Sequence, residues 1–194
     1  MPDIGKNLAM KTTILFIQGG GKGAYDADEE LVNRLSNALG NSYEIIFPKM
    51  PYENNPEYEQ YKIKIEKELN KINTDLILAA HSLGACFLLK YISEDKIKKE
   101  IYGMFLLSTP FWGHGGWEFE GFTMNNELAA KKTSGVRLFF YHGTNDEIVP
   151  FSHIILYEAK FSHAKFRKID GEGHQFDGDI SELVEDITTL HGHS

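Results

Sequence analysis

The chain has 194 residues, a formal net charge of −8, and a composition of 42% hydrophobic and 25% charged residues. These proportions are ordinary for a folded globular protein, and the length predicts a single domain over residues 1–194. The negative charge argues against nucleic-acid partners, because binding to phosphates depends on clustered lysine and arginine. The one basic run, Lys-Ile-Lys-Lys at residues 96–99, is interpreted as the end of a solvated helix.

The N-terminus and the single cysteine bear on the location of the protein. Residues 1–6 contain no basic segment followed by an apolar stretch, so no signal peptide is predicted. No apolar run approaches the ~18 residues that are needed to cross a bilayer. Cys86 is the one cysteine and cannot form an internal disulfide, which fits a reducing compartment. We therefore expect a cytoplasmic protein that does not enter a membrane.

Short apolar runs alternate with longer amphipathic segments along the chain. The apolar runs predict strands at residues 12–18, 43–47, 75–80, 104–107, 136–141 and 166–169. Helical patterns occupy residues 27–39, 57–72, the segment after residue 82, 151–161 and 180–190. This alternation predicts an α/β fold, with a six-stranded, mostly parallel sheet covered by helices on both faces. Residues 109–135 fit neither pattern and are expected to form a short lid-like insertion.

The carboxyl ends of parallel strands are where such sheets bind ligands, so chemistry is expected just after each strand. The segment Ala-His-Ser-Leu-Gly at residues 80–84 follows the third strand and precedes a helix. A serine between small residues at this junction resembles the nucleophile elbow of α/β-hydrolases, which implies a tight, strained turn that holds the hydroxyl of Ser82 clear of the sheet. The amide of Leu83 and the positive end of the helix then point at the same place. The alternative is that Ser82 only caps the helix.

An aspartate and a histidine follow two later strands in the same way. Asp146 comes after the fifth strand, shortly before Ile-Val-Pro. His174 follows the sixth strand in the short segment Gly-Glu-Gly-His at residues 171–174. A fixed carboxylate can hold an imidazole in one tautomer, and that imidazole can take a proton from a serine. Two alternatives stay open for the acid: Glu147 could replace Asp146, or Asp146 could simply form a turn.

Most of the other histidines have positions that suit packing, a helix or a frayed chain end: His81, His142, His153, His163, His191 and His193. His114 differs because it lies in the glycine-rich aromatic stretch that leaves the fourth strand. With Trp112 and Trp117 from the same stretch, it is a candidate for contact with the substrate.

A run of glycines follows the first strand, in Gln-Gly-Gly-Gly-Lys-Gly-Ala at residues 18–24, here called the glycine loop. Glycines let the backbone approach a substrate closely and aim an N–H group at a developing oxyanion. The loop resembles the oxyanion loop of α/β-hydrolases, and this resemblance implies that the amide of Gly20, paired with that of Leu83, is the oxyanion-hole donor. Gly19 and Gly21 are expected to line the same place, and either could supply the amide instead of Gly20.

The glycine loop also has a rival interpretation as a nucleotide site. Gly19, Gly21 and Ala24 satisfy the dinucleotide-binding fingerprint between a strand and a helix. The second strand, however, ends in Phe-Pro-Lys at residues 47–49, without the acid that would hold a ribose. A phosphate-binding P-loop does not fit either, because Lys22 is followed by Gly23 and not by serine or threonine.

Taken together, these segments resemble the α/β-hydrolase superfamily over roughly residues 12–190. The order Ser82, Asp146, His174 is that of the superfamily. The glycine loop resembles its oxyanion loop, with Gln18 at the usual histidine position, and Ala80 stands where glycine is more common. The two antiparallel strands that usually open the sheet are missing. The chain is therefore similar to short members of the retinoblastoma-binding-protein-9 and YdeN-like type.

The resemblance implies acyl transfer through a covalent intermediate, with an esterase-like action on a small carboxylic ester and without cofactor or metal. The stretch with both tryptophans suggests an apolar acyl or alcohol part, although it could equally be packing on the sheet edge. A thioesterase, an amidase or an acyltransferase would use the same residues. A binding protein on a hydrolase scaffold and a nicotinamide-dependent enzyme are the remaining alternatives.

Overall fold

The computed structural model describes residues 11–94, 97, 99–118 and 122–191. Some of the residues discussed above therefore lie outside the described part, namely residues 1–6, Lys96, Lys98, residues 119–121 and His193.

Strands and helices alternate along the described part of the chain. The strands are β1 (Thr12–Ile17), β2 (Tyr43–Ile46), β3 (Leu76–His81), β4 (Ile101–Leu107), β5 (Leu138–Gly143) and β6 (Lys165–Ile169). The helices are α1 (Ala24–Leu39), α2 (Tyr58–Leu69), α3 (Ser82–Glu94), α4 (Asn126–Thr133), α5 (Ser152–Lys160) and α6 (Ser181–Thr188). All six predicted strands and all five predicted helices are present, with small differences at their ends.

The six strands form one sheet in the order β2-β1-β3-β4-β5-β6, and every neighbouring pair is parallel. All residues of the inner strands β1 and β3 are buried, which explains their uninterrupted apolar sequences. The edge strand β6 differs, because Lys165 and Lys168 are exposed on it. Charges on an edge strand discourage pairing with another chain.

Helices cover both faces of the sheet. On one face, α1 and α6 pack against the sheet around Leu35, Phe105 and Ile187. On the other face, α2, α3, α4 and α5 enclose a larger core that contains Leu88 and Ile154. The four-residue spacing of Leu31, Leu35 and Leu39 gives α1 its buried stripe. In the described ranges, no helix has both the length and the apolar character required to cross a membrane.

The insertion predicted at residues 109–135 contains a helix that the sequence analysis missed. Asn125 caps α4, and its side chain accepts a hydrogen bond from the amide of Leu128 at 2.9 Å. Ala129 and Thr133, one turn apart, are buried and face the core. The eight-residue helix has only these two buried positions, so it shows little apolar periodicity, and the cap was its one clear signal. The described residues of the insertion before Asn125 belong to no helix.

The strand order places a crevice beside the third strand. The chain passes from β1 outward to β2 and then returns to β3, from which it continues to β4 on the other side. The connections after β1 and β3 therefore leave in opposite directions, and ligands of such sheets bind at this switch point. The glycine loop and Ser82 lie at the carboxyl ends of these two strands.

Candidate active site

Ser82 lies at the junction of β3 and α3, in a strained backbone conformation. Its φ is +50°, in the left-handed region that non-glycine residues rarely adopt. The residue is 9% exposed, and it lines a cleft. Backbone strain of this kind is typical of residues whose position matters for chemistry. The expected tight turn at residues 80–84 is present.

Gly84 lets the first turn of α3 pack directly on the glycine loop. A Cβ atom at residue 84 would overlap the carbonyl oxygen of Gln18 and would also press on that of Ile17. Backbone atoms cannot move aside as the end of a side chain can. The close packing of Ser82 on the glycine loop therefore requires glycine at this position.

We expect Gly84→Ala to lower the free energy of unfolding by about 1–3 kcal/mol, because the added methyl group overpacks a backbone contact. Urea unfolding followed by tryptophan fluorescence measures the change. Gly135→Ala is the matched control, since a Cβ there meets nothing within 4 Å. That variant is expected to stay within about 0.5 kcal/mol of the wild type. Equal stability of the two variants would contradict the packing argument.

His174 lies between Ser82 and Asp146 and contacts both. Its Nε2 is 3.1 Å from Oγ of Ser82, and its Nδ1 is 2.9 Å from each carboxylate oxygen of Asp146. The carboxylate accepts a hydrogen bond from the protonated Nδ1. The lone pair of Nε2 therefore faces the serine hydroxyl. The carbonyl of His174 accepts hydrogen bonds from Oγ of Ser108 at 3.1 Å and from Nε2 of His81 at 2.9 Å. The ring is thus fixed from its backbone as well as from its side chain.

The carboxylate of Asp146 is fixed by the backbone of its own turn. Its Oδ1 accepts hydrogen bonds from the amides of Ile148 at 2.9 Å and Val149 at 2.8 Å, and its side chain is fully buried. Burial by itself would raise the pKa of Asp146, but the hydrogen bond and charge of His174, with the Val149 amide, outweigh it and lower the pKa to about 2. Asp146 is therefore ionised at neutral pH, as an orienting acid must be.

Glu147, the competing acid, contacts a different part of His174. Its Oε2 lies 3.4 Å from the backbone nitrogen of His174 and does not contact the imidazole. The geometry therefore favours Asp146 over its neighbour as the partner of the ring.

The glycine loop presents its amides in a specific pattern. The amide of Gly19 donates to Oδ2 of Asp28 at 2.7 Å, and that of Gly21 donates to the carbonyl of Glu53 at 2.7 Å. Gly20 lies between them, so close to the serine turn that a Cβ would be 2.7 Å from the side chain of Leu83. The amide of Leu83 belongs to the first turn of α3, where helical N–H groups have no partner within the helix. This pattern favours Gly20 and Leu83 as the oxyanion donors.

The same contacts weaken the nucleotide interpretation of the glycine loop. A phosphate cradle needs several free amides that point at one place. Here the amide of Gly19 already binds a buried carboxylate, that of Asp28, whose negative charge would repel a phosphate. Within the described ranges, no cluster of three or more histidine, cysteine or acidic side chains is placed to hold a metal ion.

A cleft of about 860 Å³ opens beside Ser82. One wall is aromatic, and its members come from α2, α3 and the segment after β4: Tyr58, Phe87, Trp112, Trp117 and Phe122. Gly20, Pro56 and Ile148 also line the cleft, while Glu57, Glu59 and Lys90 add charge. The volume lies in the range of small-molecule sites in proteins.

Three residues that were expected to contact substrate do not line this cleft. His114 is exposed and lines a separate cavity with Asn126, between Gly113 and Gly115, whose φ angles are +127° and +89°. Gly19 and Gly21 are turned toward Asp28 and Glu53 as described above. Contact of these three residues with a substrate therefore stays a prediction.

The remaining described histidines make other contacts, and the ring of His174 is the one that bonds to the hydroxyl of Ser82. His142 and His153 are buried, with ring nitrogens bonded to the carbonyl of Val149 and the amide of Phe111. His163 lies 3.2 Å from the hydroxyl of Thr133. The side chain of His191 lies outside the described part of the structure. His81 contacts Asp28 directly below the site, a connection that the sequence analysis did not foresee.

Comparison with known families identifies the class of this protein. The sequence model of a family described as serine hydrolase matches residues 32–178, which is more than half of the chain. The chain belongs to this family and is a serine hydrolase. The matched region contains Ser82, Asp146 and His174, and it begins after the glycine loop. No protein of curated function matches the sequence significantly.

Solved structures identify the fold. The ydeN gene product of B. subtilis is 15% identical and has a TM-score of 0.68, over 94% of this chain and 100% of that one. Est1E from Butyrivibrio proteoclasticus is 15% identical, with a TM-score of 0.66 over 95% of this chain and 88% of that one. Zea mays acyl-protein thioesterase 2 is 16% identical, with a TM-score of 0.67 over 95% of each. The chain has the α/β-hydrolase fold that the sequence predicted.

Proposed function

We propose that this serine hydrolase cleaves small carboxylic esters, with Ser82 as nucleophile, His174 as general base and Asp146 as the orienting acid. One observation carries the proposal. A continuous series of contacts runs from Oγ of Ser82 to Nε2 of His174 at 3.1 Å and from Nδ1 of His174 to Asp146 at 2.9 Å. These separations are within reach of proton transfer without any movement of the backbone.

The first half of the reaction is acylation. His174 Nε2 takes the proton of the Ser82 hydroxyl as Oγ attacks the ester carbonyl carbon. The carbonyl oxygen becomes an oxyanion, which the amides of Gly20 and Leu83 stabilise. The intermediate collapses when the bond to the alcohol breaks and His174 gives its proton to the departing oxygen. The product of this half is an ester of Ser82 with the acyl group.

The second half is hydrolysis of the acyl-enzyme. A water molecule gives a proton to His174 as its oxygen attacks the acyl carbon, and the same two amides stabilise the new oxyanion. The bond to Oγ of Ser82 then breaks, and His174 returns its proton to that oxygen. The free acid leaves, and the starting state of all three side chains is restored.

The cleft favours substrates with an apolar or aromatic part. Trp112 and Trp117 lie edge to face, with ring centroids 6.0 Å apart, and Phe122 packs on Trp112 at 4.8 Å. Aromatic side chains of this kind bind apolar groups over a large area. The cleft also begins at Ser82 itself, so a bound acyl or alcohol chain would extend from the reacting carbon along this wall.

We expect Trp117→Ala to reduce kcat/KM for p-nitrophenyl octanoate about tenfold while changing kcat/KM for p-nitrophenyl acetate little, because only the longer acyl chain reaches the wall. Ile63→Ala is the control, since Ile63 is 60% exposed on α2 and does not line the cleft. That variant should treat both esters as the wild type does. An equal loss on both esters in Trp117→Ala would show that the tryptophan does not contact the acyl chain.

The proposed function is tested directly with an alkyl fluorophosphonate probe, which reacts with activated serines. Wild-type protein should gain the mass of one phosphonyl group, located by peptide mapping on Ser82. Ser82→Ala should gain none. Folded wild-type protein that fails to react at Ser82 would refute the proposal.

A substrate panel separates esterase activity from the related reactions. Butyryl esters, a butyryl thioester and a butyryl anilide differ only in the leaving group, so their kcat/KM values rank the three activities. A dominant thioester or anilide activity would replace the esterase assignment. Labelling of Ser82 without turnover of any of them above the Ser82→Ala background would favour a binding protein on this scaffold.

A further inference from the structure

A buried pair of ionisable side chains lies directly beneath the proposed site and has no part in the reaction above. Asp28 from α1 is 0% exposed and His81 from β3 is 1% exposed. Oδ1 of Asp28 lies 2.7 Å from Nδ1 of His81. Burial of such a pair costs free energy, and apolar residues of similar volume often stabilise a fold equally well. Stability alone is therefore a poor explanation of this pair.

The pair connects the glycine loop to the loop of the proposed base. Oδ2 of Asp28 accepts the amide proton of Gly19 at 2.7 Å. At the other end, Nε2 of His81 donates to the carbonyl of His174 at 2.9 Å. His81 also precedes Ser82 in the chain. The two side chains thus link the three segments that carry the oxyanion donor, the nucleophile and the base.

The charge of Asp28 affects the pKa of His81. Burial by itself would lower the pKa of His81, but the charge and hydrogen bond of Asp28 outweigh it, and the pKa is raised. A histidine protonated at both nitrogens can face the carboxylate with Nδ1 and donate from Nε2 to the carbonyl of His174.

Tyr61 from α2 fixes the other end of Gly19. Its hydroxyl donates to the carbonyl of Gly19 at 2.9 Å, and the side chain is fully buried. Burial, with the nearby charges of Asp28 and Glu53, raises the pKa of Tyr61, so the hydroxyl keeps its proton and remains a donor. The carbonyl of Gly19 and the amide of Gly20 belong to one planar peptide group and point in opposite directions. The hydrogen bond to Tyr61 therefore sets the direction of the Gly20 N–H group.

We propose that Asp28, Tyr61 and His81 form a positioning network that aligns the Gly20 amide and the His174 ring with Ser82. The inference rests on the proposed function, because it assigns the network a role in that reaction. None of the three residues contacts the reacting atoms. They act through Gly19, through the peptide between Gly19 and Gly20, and through the backbone of His174.

The first test is Tyr61→Phe, which removes one hydroxyl and keeps the packing of the ring. We expect kcat for p-nitrophenyl butyrate, per active site titrated with the fluorophosphonate, to fall about tenfold with KM unchanged. A loss confined to kcat indicates an interaction that matters in the transition state, and small misplacements of donors have effects of this size or larger.

Tyr141→Phe is the matched control for the loss of a buried tyrosine hydroxyl. Tyr141 is 2% exposed, and its hydroxyl donates to Asp186 at 2.7 Å, away from the glycine loop. Both variants should melt at a somewhat lower temperature than the wild type, but only Tyr61→Phe should lose kcat. If Tyr61→Phe keeps kcat within twofold of the wild type, the hydroxyl is structural only and the inference is wrong.

A second pair of variants tests the carboxylate. Asp28→Ala removes the acceptor of the Gly19 amide, and we expect kcat to fall about 10–100-fold. Asp28→Asn keeps a side-chain oxygen that can accept the hydrogen bond from the Gly19 amide. Its kcat should therefore be much closer to the wild-type value than that of Asp28→Ala. Equal kcat values in the two variants would contradict positioning by this hydrogen bond.

The outcomes separate this inference from the proposed function. A folded wild-type protein that neither reacts with the probe nor hydrolyses esters would refute both the proposed function and the positioning network. An active wild-type protein whose Tyr61→Phe and Asp28→Ala variants keep full kcat would leave the proposed function intact and overturn the positioning network alone.

Discussion

Replacement of Ser82 by alanine is expected to lower kcat for p-nitrophenyl butyrate by about 10⁴–10⁶-fold, with a residual rate that the oxyanion donors and substrate binding sustain. Without the hydroxyl there is no nucleophile to form the acyl-enzyme, and His174 at 3.1 Å has no proton to accept from it. Steady-state kinetics at about pH 7.5 measures the loss.

Ser93→Ala is the control for Ser82→Ala. Ser93 is also a buried serine of α3, and its hydroxyl donates to the carbonyl of Lys90 at 2.7 Å. Ser93 itself does not line the cleft. This variant should keep kcat close to the wild-type value. A Ser82→Ala protein that retains more than about one per cent of wild-type kcat would show that another group performs the reaction.

Replacement of Asp146 by asparagine is expected to lower kcat by about 10³–10⁴-fold while the fold is retained. The amide group of asparagine can donate to Nδ1 of His174, which places the ring proton on Nε2. That tautomer cannot accept the proton of Ser82. KM should change much less than kcat, because Asp146 is buried behind the imidazole and does not line the cleft.

Glu147→Gln distinguishes the two acids. Its carboxylate contacts the backbone nitrogen of His174 at 3.4 Å and not the ring, so the loss of kcat should be under about tenfold. If Glu147→Gln were the more damaging of the two variants, the acid would be misassigned.

Acid unfolding gives an independent measure of the Asp146 interaction. The pKa of Asp146 is lowered from 3.8 to about 2 in the folded protein. A lowered pKa stabilises the fold at pH values above that of the unfolded group, and this stabilisation disappears as the pH falls through the folded value. The asparagine side chain of the Asp146→Asn variant does not titrate. The difference in free energy of unfolding between the wild type and this variant should therefore shrink between about pH 5 and pH 2. A constant difference would contradict the lowered pKa.

The sequence predicted the strands well because their signals are local. The inner strands β1 and β3 are buried along their whole length and read as unbroken apolar runs between polar turns. The long helices show the periodic apolar stripe of a buried face, as at Leu31 and Leu35 of α1. The short helix α4 lacks such a stripe and was missed. Its position on the core depends on burial of Ala129, which the local sequence does not reveal.

The three residues proposed for the reaction were found because strand ends in a parallel sheet converge on one edge. The sequence could not show the orientation of His114 for a related reason. The sequence shows that a loop leaves the correct edge of the sheet, but not which way a side chain within the loop points. Gly113 and Gly115, on either side of His114, both adopt positive φ, which the local sequence does not specify. The cytoplasmic location and the lack of nucleic-acid partners stay predictions.

By itself the sequence determined the α/β architecture and the order Ser82, Asp146, His174, since each depends on a short segment and its neighbouring strand. Only the tertiary structure showed that the amides of Gly19 and Gly21 are bonded, which aromatic side chains line the cleft, and that Asp28 of α1 contacts His81 of β3. The physical reason is that such contacts join residues far apart in the chain. Their geometry is set by how helices pack on the sheet, and no local pattern of residues encodes a distance between two elements.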